Sequence, residues 1–126
     1  MPIERQVCPV TRVLRTTLSG PVTIGELREH LAEVQRIEAH RHPEMIDART
    51  ASPSFHPTDL TRLATSGREV FADMRLAPRA VVVDNIIHFG MARVFGAIAA
   101  SWVNLTVFDE MTAAEAWLEQ FHGRES

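Results

Sequence analysis

Six histidines, a single cysteine and a few serine and threonine hydroxyls are the side chains in this sequence with chemistry to offer. His40 and His42, two apart in "AHRHPE" and flanked by Glu38 and Glu44, form the metal-like cluster. Two imidazoles at this spacing can reach one ion from an extended loop, but structural zinc sites bring four matched ligands and catalytic ones three plus an open position. A solvated pair that complements the negative end of a preceding helix explains the spacing without a metal, so no metal and no other cofactor is expected. His30 with Glu33, and His88 beside an apolar run, read as surface or boundary histidines, and no two titratable groups pair as acid and base. Cys8 has no helix start or clear basic neighbour to depress its pKa. Ser19, in "LSG", lacks the flanking glycines of a nucleophile elbow. The sequence contains no phosphate loop, dinucleotide fingerprint or zinc-protease helix. No catalytic residue is assigned, and the chain is read as a non-enzyme.

The elements that would carry these residues follow from periodicity and punctuation. "IERQV" and "TRVLRTTLS" are β-rich runs that read as a hairpin or adjacent strands. "SGP" breaks the second run, and Thr23 with Glu26 three residues on forms a capping box. Ile24, Leu27, Leu31 and Val34 then recur at helical spacing, with Glu29, His30, Glu33 and Arg36 opposite. "MIDA" is a short third strand ending in a Thr-, Ser- and Pro-rich loop. A second helix starts at Pro57 and buries Leu60, Leu63, Gly67, Val70, Phe71 and Met74. "RAVVVD" is a continuous β-branched run, as expected of a strand covered on both faces. "LTVF" supplies a fifth strand, and Thr112 with Glu115 caps a last helix that carries Trp117, Leu118 and Phe121 and stops at Gly123. The order implies a single α/β domain over residues 1–126, with a mixed sheet of about five strands and about four helices.

Between the fourth and fifth strands lies "NIIHFGMARVFGAIAASW", whose only formal charge is Arg93. It is too short and too interrupted for a membrane span, which needs roughly 20 predominantly apolar residues. As a helix it places Ile87, Met91, Val94 and Ile98 on one side, flanked by Phe95 and Trp102, and this stripe is expected to pack on the sheet. The other side carries Phe89, Gly90, Arg93, Gly96, Ala97 and Ala100. A surface so small and apolar is expected either to lie under another part of the chain or to meet a partner, a second copy of the chain or a ligand, with Arg93 as the orienting charge.

The succession of "RAVVVD", "FGMARVFGAIA", "LTVF" and "EAWL" resembles the C-terminal half of the SpoIIAA-like group of the STAS superfamily, the sulfate transporter and anti-sigma-factor antagonist domains. "TLSGPVTIGELREHLAEV" resembles its N-terminal half. The resemblance implies a mixed sheet flanked by helices and a regulatory or binding role exerted through protein contact. A carrier of a small, lipid-like molecule, held in a cleft under Phe89, Phe95 and Trp102, is the alternative. Antagonists of this group carry a strand-end Asp, which Asp47 would match, and a phosphorylated Ser at a helix start. Here that start reads "SFHPTDL", with His56, Pro57, Thr58 and Asp59 in place of the switch Ser. The usual phosphoserine switch is therefore not expected. Ser54 and Thr58, with Ser52, are the hydroxyls that a phosphate at a helix N-terminus could use, and also ordinary loop and capping groups.

Bulk properties narrow the partners. The chain has 126 residues, a formal charge of −3 and a pI of about 6.0. Its basic residues are all arginines, scattered from Arg5 to Arg124. With no basic stripe to neutralise phosphates, neither nucleic acid nor an anionic membrane surface is an expected partner. An N-terminus without a basic start and apolar run, and a lone cysteine, lead to the expectation of a cytoplasmic protein.

Overall fold

The computed structural model describes residues 2–72 and 74–121. Five strands form one sheet in the order of the chain: β1 (Ile3–Val7), β2 (Leu14–Val22), β3 (Glu44–Pro53), β4 (Arg79–Val82) and β5 (Leu105–Phe108). β1 and β2 are an antiparallel hairpin, and every later pairing is parallel. The crossovers are α1 (Ile24–Arg36), α2 (Asp59–Val70) and α3 (Ile86–Ile98), and α4 (Met111–Glu119) closes the described chain. This is the expected mixed sheet with four helices. No described helix is long and apolar enough to cross a membrane.

Side-chain alternation along the strands divides the core in two. On one face Leu14, Val34, Ala64, Phe71, Ala99 and Trp102 pack together, joining β2 to α1, α2 and α3. On the other, Met45, Ala80 and Val82 meet Ala114 and Leu118 of α4. β4 serves both faces, which explains its unbroken apolar run.

Local signals set most boundaries. The Thr23 capping box forms, with Thr23 Oγ1 accepting from the Glu26 amide at 3.1 Å and Glu26 Oε1 accepting from the Thr23 amide at 2.8 Å. The box expected at Thr112 does not. α4 begins two residues earlier, with Glu110 as N-cap, so Thr112 lies inside the first turn. The stop at Gly123 lies outside the described residues. α2 starts at Asp59, after a turn through Pro57 and Thr58, and Met74 falls beyond its end and is exposed.

β2 and β3 run further than expected. "SGP" does not end β2, because Gly20 adopts φ +65° and still pairs with Ala51. The register slips between Thr17, opposite Asp47, and Ser19, opposite Thr50, which leaves one extra residue in β3. Asp47 therefore sits in mid-strand rather than at a strand end, where its carboxylate binds Arg49 at 2.9 Å. The slip also lets Ala48 and Ala51, three apart, face the same space.

The wheel assignment of α3 needs correction. Ile87 is 72% and Val94 53% exposed, with Ile86 at 86%. The inward side is instead His88, Ala92, Phe95 and Ala99, with Met91 on its flank. Trp102 decides the orientation. Its indole is buried beside Gly67 of α2, donates from Nε1 to the Ala64 carbonyl at 3.1 Å and stacks on Phe71 at 5.8 Å. That anchor fixes the end of α3 and turns Phe95 inward, edge-on to the indole at 6.1 Å.

Candidate functional site

Two features stand out, at opposite ends of the strands. The first is a buried polar chain at the amino-terminal ends of β3 and β4. Glu44 and Arg79 open those strands, are opposite each other in register and are both about 2% exposed. Arg79 Nε lies 3.1 Å from Glu44 Oε1, and its other nitrogens donate to the carbonyls of Ala77 at 3.0 Å, Ala39 at 3.3 Å and His42. Glu44 Oε2 accepts from Thr16 Oγ1 at 2.5 Å and meets His30 Nε2 at 2.7 Å. Arg5 Nε–H donates to His30 Nδ1 at 3.2 Å, so that nitrogen is an acceptor and the ring proton lies on Nε2, facing Glu44. Burial alone would raise the Glu44 carboxyl. His30, the Arg79 guanidinium and the Thr16 hydroxyl overcome this and lower it to about 2.

His30 is thus an interior residue, not a surface one, and Glu44 points inward. The metal-like cluster is not assembled. Glu44 is committed to His30, Thr16 and Arg79, His40 packs against Phe71, and the His42 carbonyl accepts from Arg79. Among the described residues no three His, Cys, Asp or Glu side chains are placed to share a metal ion. The buried chain ties the loop at residues 39–42 to the sheet. It offers no open position to a substrate.

The second feature lies at the carboxyl ends of the strands, the end at which open α/β sheets bind their ligands. Here α3 and α2 stand off the sheet and leave a cavity of about 190 Å³ that is open to solvent on one side. Leu18, Ile46 and Val81 form its floor, Phe55 and Leu63 one wall, and Met91 and Phe95 the roof. The sequence leaves this space by putting alanine at positions 48, 51 and 92, where larger side chains would fill it. Its lining is apolar except for His88 and Ser52. Asn85, the N-cap of α3, holds His88 by two bonds. Asn85 Oδ1 accepts from the His88 amide at 2.9 Å, and its Nδ2 lies 2.9 Å from His88 Nδ1.

The residues expected to meet a partner are divided by this geometry. Gly90, Arg93, Ala97 and Ala100 are exposed, and Phe89 is half-buried. Gly96 instead faces β5, where a Cβ would lie 3.2 Å from the Leu105 carbonyl oxygen. Of the three aromatic residues expected around a cleft, Phe95 lines the cavity and Trp102 is buried behind it. Ser54 and Thr58 are exposed before α2, and Thr58 makes no capping bond. Beside them Asp59 Oδ2 accepts from the His56 amide at 3.0 Å, so a carboxylate already occupies that helix start.

Cys8 also differs from expectation. It opens the β1–β2 turn, where the Thr11 hydroxyl and the Thr11 and Val10 amides donate to its sulfur, with Arg15 adding a smaller effect. Together they lower the thiol from 9.0 to about 7. A basic neighbour was the wrong feature to look for, because hydrogen bonds within the turn do most of the work.

Ala48, Ala51 and Ala92 were not singled out from sequence, and His88 and Met91 were expected as a boundary histidine and a sheet-packing residue rather than as cavity lining. The available signal was Asn85, a capping residue three positions before His88. The buried chain also had a signal in "PEMI" and "PRAV", two strands that each open with a proline and a charge of opposite sign.

No protein-family model matches the chain, and no curated protein does. Among solved structures it is similar to an uncharacterized protein of the DUF3478 family with a SpoIIAA-like fold from Shewanella loihica PV-4. The TM-score is 0.60 and the identity 14%, over 92% of this chain and 91% of that one. At that identity the likeness speaks to architecture alone, and it agrees with the five-stranded mixed sheet and four helices: the chain has a SpoIIAA-like fold.

Proposed function

We propose that this protein is a non-enzymatic binding module that holds a small apolar ligand between α3 and the carboxyl ends of the strands. The observation that carries this reading is the cavity of about 190 Å³ with an almost wholly apolar lining. An engineered cavity of about 150 Å³ lined by Leu, Ile and Phe stays dry and binds benzene, so this one suits a molecule of about six to eight non-hydrogen atoms. The buried polar chain lies at the other end of the strands and presents no nucleophile or base to the cavity, which favours binding over catalysis. The test is a titration of the labelled protein with n-heptane, followed by amide and methyl NMR. Shifts confined to Ile46, Val81, Met91 and Phe95 are expected. Shifts absent or spread over the surface would refute the reading.

A second reading, contact with a protein partner or a second copy, is favoured by the outer side of α3. There Ile86, Ile87, Val94 and Ile98 are exposed beside Gly90, Arg93 and Ala97, more apolar surface than a solvated helix normally presents. Sedimentation of the protein and of Ile87→Asp tests it. A dimer that the substitution dissociates supports the contact, and an unchanged monomer mass for both speaks against self-association.

A further inference from the structure

The two ends of the cavity differ. It runs along the strands from Leu105, the first residue of β5, to Phe55, in the loop beyond the carboxyl end of β3. At the Leu105 end α3 lies close against the sheet: a Cβ on Gly96 would fall 3.2 Å from the Leu105 carbonyl oxygen, and Phe95 packs edge-on to the buried indole of Trp102 at 6.1 Å. At the other end the lining includes Ser52, which is exposed. Phe55 there lines both the cavity and a polar recess that it shares with Thr23, Ser54, His56 and Asp59. Ile46, on the central strand, is only half-buried, as the floor of a space that solvent can reach. The cavity is thus a sleeve, shut by α3 at Gly96 and open toward the carboxyl ends of the strands.

Such a sleeve can bury an alkyl tail but not a polar group. Its lining presents almost no polar surface, and a hydroxyl or carbonyl carried into it would lose its water without gaining a partner. At the mouth, both helix starts are already satisfied by the chain's own carboxylates. Glu26 Oε1 accepts from the Thr23 amide at 2.8 Å, and Asp59 Oδ2 accepts from the His56 amide at 3.0 Å. A polar group there is left to water rather than gripped by the protein. Resting on the ligand-binding reading above, we propose that the ligand is a straight-chain amphiphile bound tail first. About six to eight carbons of one alkyl chain fill the cavity of about 190 Å³, with the methyl end against Phe95 and Leu105, and the polar end leaves past Phe55 into solvent. The site selects the place of the polar group, at the end of the chain and not along it, and is indifferent to what that group is.

The experiment titrates the whole chain with 1-octanol, 4-octanol, n-octyl glucoside and n-heptane, followed by NMR. 4-Octanol is expected to bind at least about fivefold more weakly than 1-octanol, the least that a buried hydroxyl without a partner costs. Octyl glucoside, whose sugar is too large to enter the cavity, is expected to bind within about threefold of 1-octanol. Intermolecular contacts should join the methyl end of 1-octanol to Phe95 and Leu105, and its first carbon to Phe55. Ala92→Leu narrows the roof and should weaken 1-octanol and octyl glucoside alike by about tenfold, the loss of one to two buried methylenes. Equal affinity for the two octanols, exclusion of octyl glucoside, a reversed set of contacts, or unaltered affinity in folded Ala92→Leu would each overturn tail-first binding. Heptane shifts at Ile46, Val81, Met91 and Phe95 would in that case still leave an apolar binding site in place. Failure of all four probes to bind would remove both readings. The wild-type affinities and contacts decide the question alone if the leucine variant does not fold.

Discussion

Gly67 and Trp102 are in direct contact: a Cβ built on the glycine would fall 2.2 Å from two carbons of the indole ring. In an exposed helix interior Gly→Ala gains about 1 kcal/mol. Here the sign reverses. The new methyl has to displace a rigid ring that is held by its bond to the Ala64 carbonyl and by its stack on Phe71. Gly67→Ala is expected to destabilise the protein by about 1–3 kcal/mol, as overpacking does, read as a lower urea midpoint. A stabilised variant would mean that Trp102 can move aside and does not fix α3.

Gly96 makes a similar contact with β5, where the nearest atoms to an added Cβ are the Leu105 carbonyl oxygen at 3.2 Å and Leu105 Cδ2 at 3.3 Å. Gly96→Leu is therefore expected to push α3 off the sheet and lower the melting temperature by several degrees, without changing the sedimentation mass. Ala97→Leu, on the exposed side, should leave the melt almost unaltered. A changed mass with an unchanged melt for Gly96→Leu would place that residue in a subunit contact instead.

The difference between these two positions shows where the sequence was readable. α1 could be placed because its apolar stripe and its Thr23 box agree, and β4 because it packs on both faces. α3 could be recognised as a helix but not oriented. It is apolar almost all round, so no stripe marks an inward side, and the choice is made by Trp102 docking on Gly67 across 35 residues of chain. The length of β3 was hidden for another reason: "ARTASP" looks like a loop until an extra residue is absorbed between the Thr17–Asp47 and Ser19–Thr50 pairs, opposite Leu18. The cavity was equally hard to see, since it is a deficit of volume at Ala48, Ala51 and Ala92 rather than a motif. His30 was misplaced because a histidine at the edge of a stripe reads as polar. Glu44, brought beside it from 14 residues away, makes it a core residue.

Cys8 should titrate well below a free thiol. The Thr11 hydroxyl is the largest stabiliser of its thiolate, ahead of the turn amides, and holds the pKa at about 7. Iodoacetamide labelling followed against pH is expected to show a midpoint near that value. Thr11→Val removes the hydroxyl and should move the midpoint upward, toward the ordinary 9.0, leaving the amide contribution in place. An identical midpoint in both proteins would assign the shift to the backbone alone.

The Glu44 and Arg79 pair predicts the behaviour in acid. Glu44 ionises at about 2 in the folded chain against an ordinary value of 4.5, so on acidification the unfolded state takes up the proton first. The stability contributed by the carboxylate is complete above about 4.5 and drains away as pH falls toward 2. Glu44→Leu removes that dependence. It also leaves the Arg79 guanidinium buried beside an apolar side chain, and it should cost about 3–5 kcal/mol at neutral pH. The double variant Glu44→Leu with Arg79→Met is expected to be more stable than Glu44→Leu alone, because the unpaired charge goes with its partner. It should not regain everything, since the carbonyls of Ala39, His42 and Ala77 lose their donor. Urea titrations of the three proteins at pH 7, 4 and 3 check both statements. If Glu44→Leu kept the acid-induced loss of the wild type between pH 4 and 3, the pH dependence would have to originate in another carboxylate, and the buried chain would be a matter of packing alone.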